Sequence, residues 1–315
     1  MSVRPLLEHR AVVRAAVRAC FEDRGFIEVD TPVLSREILP EPYIEPVALT
    51  DSQGTRYLQT SPEALMKRLL ARSSGPIYQF AHCFRAEERG PRHDTEFIML
   101  EWYQPGASLD ETVELVSNLL QNTLGTTGLE RISCRDAFDQ HAGVDPHAAT
   151  TDELLAAVTA LGLTVPEGSA ALPASERRSL AFDLLLSEIV SPRLGFDSPV
   201  MLEAWPATEA AFARLDPLDP TQARRFEVFA AGVELANGWE EEPSATILKE
   251  RLLVTNQLRR SQGRQILPLP DRLLAAHGET MPAGVGAALG FDRLVMLASG
   301  ATTIDEVRGF SSNTA

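Results

Sequence analysis

Ile77-Tyr78-Gln79-Phe80-Ala81-His82-Cys83-Phe84-Arg85 and Glu96-Phe97-Ile98-Met99-Leu100-Glu101-Trp102-Tyr103 flank the charged segment 87–95 with its Gly90-Pro91 pair. The two runs read as an antiparallel hairpin with a long loop. Successive side chains of a strand point to opposite faces, so Phe97, Met99, Glu101 and Tyr103 share one face and Ile98, Leu100 and Trp102 the other. Arg85 and Glu87 share a parity on the partner strand. If both sets face the same way, one sheet face carries Arg, Glu, Phe, Glu and Tyr. A hairpin with a solvated face would show the same charge pattern. Against that, Glu101 lies within a run of large apolar residues, where a carboxylate needs a cation or several hydrogen bonds.

Toward the N-terminus, 6–24 reads as a helix with Val13, Val17, Cys20 and Phe21 on one face and Gly25 as its stop. A short strand over 26–29 is closed by Thr31-Pro32, since proline cannot continue a central ladder. Another strand covers 56–59. Ser61-Pro62-Glu63 then opens a helix running to about 72, with a hydroxyl at the N-cap, proline at N1 and an acid in the first turn.

Toward the C-terminus the texture changes. Over 129–223 the chain is rich in Ala, Leu, Pro and Ser, with helices expected over 151–161 and 175–190 and a strand over 199–205. This predicts a helical insertion with no identifiable chemistry. Strands over 226–230 and 233–237 form a second hairpin about Ala231-Gly232, with Glu227, Glu234 and Glu241 on or beside it. Outward acids on an edge hairpin discourage aggregation; alternatively two of them hold a divalent metal and the third faces a cation. A helix over 246–261 follows, then a strand over 285–289 leading into a helix over 291–299. The spacing Gly284-x-Gly286-x-x-x-Gly290 does not fit a dinucleotide fingerprint, and too little chain follows for a βαβ unit. The glycines instead let something flat lie close to the strand, with Arg293 aimed at that place.

Charge narrows the function. The 315 residues carry Lys+Arg 29 against Asp+Glu 44, a net charge of -15, and the pI is near 4.9. Nucleic-acid binders cluster Lys and Arg, and no basic stripe exists here. The balance suits a small cationic substrate or a basic protein better than a large RNA. No run approaches the ~18–20 apolar residues of a membrane span, and Met1-Ser2-Val3-Arg4 opens no apolar signal region. Cys20, Cys83 and Cys134 are scattered and lack CxxC spacing, which argues against a disulfide framework or a structural zinc site. A cytoplasmic protein without a membrane partner is expected.

The same residues carry a resemblance. The helix–strand–Pro32 order, Phe84-Arg85-Ala86-Glu87 … Arg92-His93-Asp94-Thr95-Glu96-Phe97, and Gly290-Phe291-Asp292-Arg293 resemble motifs 1, 2 and 3 of class II aminoacyl-tRNA synthetases. Ser61-Pro62-Glu63 … Lys67-Arg68, Met99-Leu100-Glu101-Trp102-Tyr103 and Glu234-Leu235-Ala236-Asn237-Gly238 resemble the lysyl branch. The match runs from the first helix to Gly309, and motif 1 begins almost at Met1. That layout is similar to the truncated lysyl-tRNA synthetase paralogues that attach lysine to elongation factor P.

The resemblance implies an α+β fold of the class II synthetase type: a six- or seven-stranded antiparallel sheet flanked by helices, without an anticodon-binding domain. One catalytic domain would span 1–315, with the insertion at 129–223, and a homodimer would form through the motif 1 region. It implies ATP and Mg²⁺, activation of lysine as an adenylate, and transfer to a lysine of elongation factor P, tRNA being the less expected acceptor. Arg85 would contact the α-phosphate, Glu87 the adenine amino group, and Arg92 and His93 the β- and γ-phosphates. Phe97 and Arg293 would sandwich the adenine, and Glu227 and Glu234 would bind Mg²⁺. Glu63 and Glu101 would face the ammonium groups, with Tyr103 and Glu241 at the side-chain end and Asn237 near the carboxylate. Where the lysyl branch has Asn-Gly-Phe-x-Glu-Leu, this chain has Asn237-Gly238-Trp239-Glu240-Glu241-Glu242-Pro243, which leaves the register between Glu240 and Glu241 open. Ser61 and Ala288, where lysyl-tRNA synthetases usually have Ala and Gly, would crowd α-lysine and favour (R)-β-lysine. An enzyme charging tRNA or a small molecule, or a non-catalytic amino-acid sensor, are the competing classes; the presence of Arg85 and Arg293 speaks against the sensor.

Overall fold

In the computed structural model, which describes residues 3–315, the hairpin forms from Ile77–Phe84 and Glu96–Pro105, paired antiparallel from Ile77↔Tyr103 to Phe84↔Glu96. The chain divides into two units, 1–125 with 241–315, and 126–240. In the first, the hairpin is the centre of four strands ordered Ile27–Glu28, Ile77–Phe84, Glu96–Pro105 and Gly284–Gly290. The outer pair at Ile27–Glu28 is parallel and the rest are antiparallel.

One face of these strands is core. Tyr78, Phe80, Leu100 and Trp102 are buried, and Phe21 stacks on Tyr78 with ring centroids 4.6 Å apart. The helix Arg4–Glu22 buries Val13, Val17, Cys20 and Phe21, the stripe its spacing predicts. Burying each such side chain contributes about 1.5–3 kcal/mol. Helices Leu109–Leu124 and Phe291–Ser299 pack beside it. The other face carries Gln79, Ala81, Cys83, Phe97, Met99, Glu101 and Tyr103, and receives the helix Glu63–Leu70 through Met66 and Leu70.

A separate small sheet joins Leu34–Ser35, Gly54–Leu58 and Ala48–Asp51, all antiparallel. The segment 36–47 beside it is fastened by Arg259 of the helix Ala245–Ser261. This fully buried guanidinium donates to the carbonyls of Glu41, Ile44 and Gln265 and to both oxygens of Glu45.

The second unit has four strands, Glu130–Ser133, Val200–Pro206, Gln222–Ala230 and Val233–Glu240, the first pair parallel and the others antiparallel. Helices Cys134–Ala142, Thr151–Ala160 and Ala174–Leu185 bury Phe138, Leu154, Phe182 and Leu185 around Trp205. Thr150 and Glu153 form a capping box at the start of the second of them.

Several expectations are refined. The antiparallel sheet has one parallel edge pair in each unit. The segment 129–223 supplies two strands as well as helices. Pro62, not Ser61, stands at the cap of Glu63–Leu70, although the Ser61 hydroxyl still accepts the Glu63 N–H at 3.0 Å. The helices Leu109–Leu124 and Asp271–Thr280 are not anticipated by the sequence reading. Among the described residues no helix is long and apolar enough to cross a membrane.

Candidate active site

The strand alternation places Glu101 on the open face of the hairpin, yet it is only 2% exposed. Tyr103 donates its hydroxyl proton to Glu101 Oε1 at 2.6 Å, and Ser61 donates to Oε2 at 2.7 Å. Ala288 is its register partner on the neighbouring strand. Burial, then the charge of Glu63, pushes the Glu101 carboxyl up to about 8, although both hydroxyls and Lys67 pull the other way. Burial also raises the Tyr103 hydroxyl well above its ordinary range.

Beside it lies an ion triad. Lys67 Nζ is 2.6 Å from Glu63 Oε1 and 2.6 Å from Glu241 Oε2, with the lysine fully buried. Burial works against this ammonium, but Glu241 and then Glu63 outweigh it and raise its pKa above the ordinary value. The two acids between which the sequence left the register open have different partners. Glu241 lies in the triad, whereas Glu240 pairs with Arg224 at 2.7 Å and Arg214 at 3.6 Å. A Cβ on Gly286 would overlap the Tyr103 ring and Glu241 Oε1. What lies close to that glycine is the chain's own pocket wall, and at Gly284 it is the backbone of Gln104.

Arg85, Glu87, Arg92, His93 and Phe97 belong to the far end of the hairpin. The Arg85 N–H reaches Thr95 O at 2.9 Å, so the ladder continues one step past Phe84. Its guanidinium lies over the Phe97 ring, 5.1 Å from the centroid, with Glu88 at 3.7 Å. Arg85 Nε is buried without a hydrogen-bond partner among the described residues, an unmet donor that an anionic oxygen would satisfy. Glu87 departs from the parity expected of it: the strand ends at Phe84, and Glu87 has a left-handed φ of 68° and an exposed side chain. Arg293 donates to the carbonyl of Arg92 at 3.3 Å and to His93 Nε2. Arg85 covers one face of the Phe97 ring here. Asp292 anchors this helix start, accepting the Ile98 N–H at 2.8 Å and pairing with Arg10 at 2.7 Å. An aromatic ring under an arginine with an unspent donor fits a nucleotide's base and phosphate.

Glu227 and Glu234 lie in the other unit. Glu227 pairs in register with Asn237 and Phe229 with Glu234, with a bulge between Glu234 and Ala236. Glu234 and Asn237, three residues apart, would point to opposite faces of a regular strand; the bulge brings them to one. Burial, then the charge of Glu234, pushes the Glu227 carboxyl up to about 8. Arg225 donates to Glu227 Oε1 at 2.7 Å and to the Glu209 carbonyl at 2.8 Å, and reaches Asn237 Oδ1 at 3.4 Å. It lies 3.9 Å from the centre of the Trp205 ring. Two neighbouring carboxylates of like charge, one of them buried, fit a hard divalent cation. Among the described residues no group of three or more His, Cys, Asp or Glu could hold one alone, so water or phosphate oxygens would complete its shell.

Lys67, Arg225 and Glu41 have no role in the sequence reading. Glu41, from the segment fastened by Arg259, accepts the Thr60 hydroxyl at 3.4 Å. Burial raises its pKa while Arg85 lowers it.

A family model for class II tRNA synthetases (D, K and N) matches residues 1–314. Relatives named elongation factor P–(R)-β-lysine ligase include one from Klebsiella pneumoniae (strain 342), 39% identical over 313 residues, 98% of this chain and 95% of that protein. One from Pectobacterium atrosepticum is 39% identical over 316 residues, with the same coverage. One from Edwardsiella ictaluri is 39% identical over 308 residues, 96% of this chain and 93% of that protein.

Proposed function

The chain belongs to the class II tRNA synthetases of the D, K and N group, and we propose that it is an ATP-dependent ligase that activates lysine, as (R)-β-lysine, and transfers it to a lysine of elongation factor P. The single observation that carries the reading is the buried acidic cluster of Glu101, Glu241 and Glu63. Buried carboxylates of this number want cations, and a diamino acid brings two. Names of relatives that share 39% identity over nearly the full chain support the acceptor.

Two displacements would occur. The amino-acid carboxylate attacks the α-phosphorus of ATP in line and pyrophosphate leaves with the bridging oxygen. The acceptor amine then attacks the acyl carbon, AMP leaves as its C–O bond breaks, and the amine loses a proton. Neither step needs a protein nucleophile; positioning and charge neutralisation carry the rate. Arg85 would meet the α-phosphate with its unmet Nε, and Arg92, His93 and Arg293 the remaining phosphates and the base. Phe97 offers its ring to the adenine, and Glu87 its exposed carboxylate to the adenine amino group. Glu101 would take the amine near the reacting carboxylate, and Tyr103 and Glu241 the distal amine. Asn237 would orient the carboxylate. Glu227 and Glu234 would hold Mg²⁺, whose chemistry is to neutralise phosphate charge.

Ser61 and Ala288 both adjoin Glu101, which supports crowding of an α-amine there and the choice of the β isomer. Two copies would associate through the helix Arg4–Glu22, which exposes Leu7 and Val12. Elongation factor P as acceptor would place the enzyme in the cytoplasm, and the -15 charge disfavours tRNA. Pyrophosphate exchange with ATP and a panel of amino acids tests the first step, and acylation of elongation factor P against lysine tRNA tests the second. Exchange with (R)-β-lysine and labelling of the protein acceptor are expected. Exchange with apolar or acidic amino acids alone, or charging of tRNA alone, would sink the proposal.

A further inference from the structure

We infer that Arg225 is a positioning residue that couples the metal ligand Glu227 to the carboxylate anchor Asn237, fixing which atom each of them turns away from it; this rests on the function proposed above. Arg225 and Glu227 are two apart on the strand Gln222–Ala230 and so share a face. Asn237 stands opposite Glu227 in the ladder. The guanidinium lies 3.9 Å from the centre of the Trp205 ring, and its three nitrogens go to three different acceptors. Nη2 donates to Glu227 Oε1 at 2.7 Å, Nη1 to the Glu209 carbonyl at 2.8 Å, and Nε reaches Asn237 Oδ1 at 3.4 Å. The indole and the carbonyl hold the fork; the other two bonds are what it imposes on its neighbours.

A guanidinium has donors and no acceptor, so whatever meets it must offer an oxygen. That fixes the amide of Asn237, with Oδ1 toward Arg225 and the NH2 end away. Among the described residues no hydrogen bond takes that NH2, so it remains to donate, as a substrate carboxylate requires. The same logic holds at Glu227, where Arg225 takes Oε1 and leaves Oε2 for a cation. A merely stabilising cation would also suit this place, since Arg225 acts on Asp183 and Glu209 as well. A lysine would serve that end as a point charge, whereas three bonds diverging in one plane need arginine.

Arg225→Lys separates the two roles, because it keeps the charge and removes the fork. Manganese(II) affinity, read by electron paramagnetic resonance with α,β-methylene-ATP present, should fall about tenfold or more, as when the outer partner of a metal ligand is lost. In pyrophosphate exchange the KM for (R)-β-lysine should rise by a similar factor. Asn237→Ala should raise that KM about tenfold in the wild type but less than about threefold in Arg225→Lys, since the two residues act as a pair. Asn237→Asp tests the orientation with Arg225 in place. Its carboxylate keeps the arginine, and hence the melting temperature, but turns an oxygen to the substrate carboxylate, so its lysine KM should exceed that of Asn237→Ala. In a folded Arg225→Lys, an unchanged manganese affinity, an unchanged lysine KM or full additivity with Asn237→Ala each overturns the inference. Where Arg225→Lys fails to fold, the aspartate variant decides, and an aspartate no worse than alanine overturns the inference. A wild type that activates no amino acid instead overturns the functional reading beneath it.

Discussion

Two clusters of glutamates, one in each unit, surround the same residue type with different neighbours. Around Glu101 every nearby polar group is directional: two hydroxyls occupy its two oxygens, and an ammonium is shared by Glu63 and Glu241. Around Glu227 the Arg225 guanidinium, 3.9 Å from the centre of the Trp205 ring, takes one oxygen, and the charge of Glu234 acts on the same carboxyl. The first arrangement is suited to a small organic cation whose N–H groups have fixed directions. The second suits a bare ion whose shell has no preferred hydrogen. What a buried acid does is set by its neighbours' geometry, since both carboxyls are pushed to about 8.

The contrast breaks most clearly by exchange of function. Glu101→Gln should raise the lysine requirement by roughly 10²–10³-fold, the cost of truncating one partner of a buried charge pair, with the Mg²⁺ requirement nearly unmoved. Glu227→Gln should do the reverse, raising the Mg²⁺ requirement by roughly 10–100-fold. Titrating each requirement in pyrophosphate exchange distinguishes them; equal effects on both would mean the clusters are not separate in role.

A smaller effect sharpens the first cluster. Ala288→Gly with Ser61→Ala removes a methyl and a hydroxyl beside Glu101 and should erase or reverse the preference for β- over α-lysine. The change in relative kcat/KM corresponds to about 1–3 kcal/mol, as for a methyl in a pocket. A wild type that uses α-lysine at least as well removes these two positions from the choice.

The smallest effect is in stability. A carboxyl with a higher pKa folded than unfolded contributes stability that is full below about 4.5 and is lost as pH rises through about 8. Glu101→Gln carries no charge at any pH, so its melting temperature should gain on the wild type by a few degrees between pH 5 and pH 9. A constant difference would mean that Glu101 is ionised throughout.

Much of this was legible from the residues. Alternation over 96–103 and the stripe in the first helix depend only on local period, and the structure keeps both. The rest depends on events that period does not encode. Glu87 leaves the strand through a left-handed turn, and a bulge reverses the parity of Glu234 against Asn237. Lys67 carries no role in the sequence until Glu241, 174 positions on, is placed against it. The helix Leu109–Leu124 is a different case: its Ser108 and Glu111 capping box is a local signal, present in the sequence but not used.

Arg259 has a consequence for how the molecule opens. A guanidinium keeps its proton at any ordinary pH, and here it has five hydrogen bonds, four of them to residues 41–45. If that segment peeled away alone, it would strand a charge that cannot be discharged among groups unable to solvate it. Segment and helix must therefore part together, as one cooperative opening unit rather than a loop fraying from a scaffold. Slow amide exchange would then extend from the helix Ala245–Ser261 into a stretch that has almost no regular secondary structure of its own.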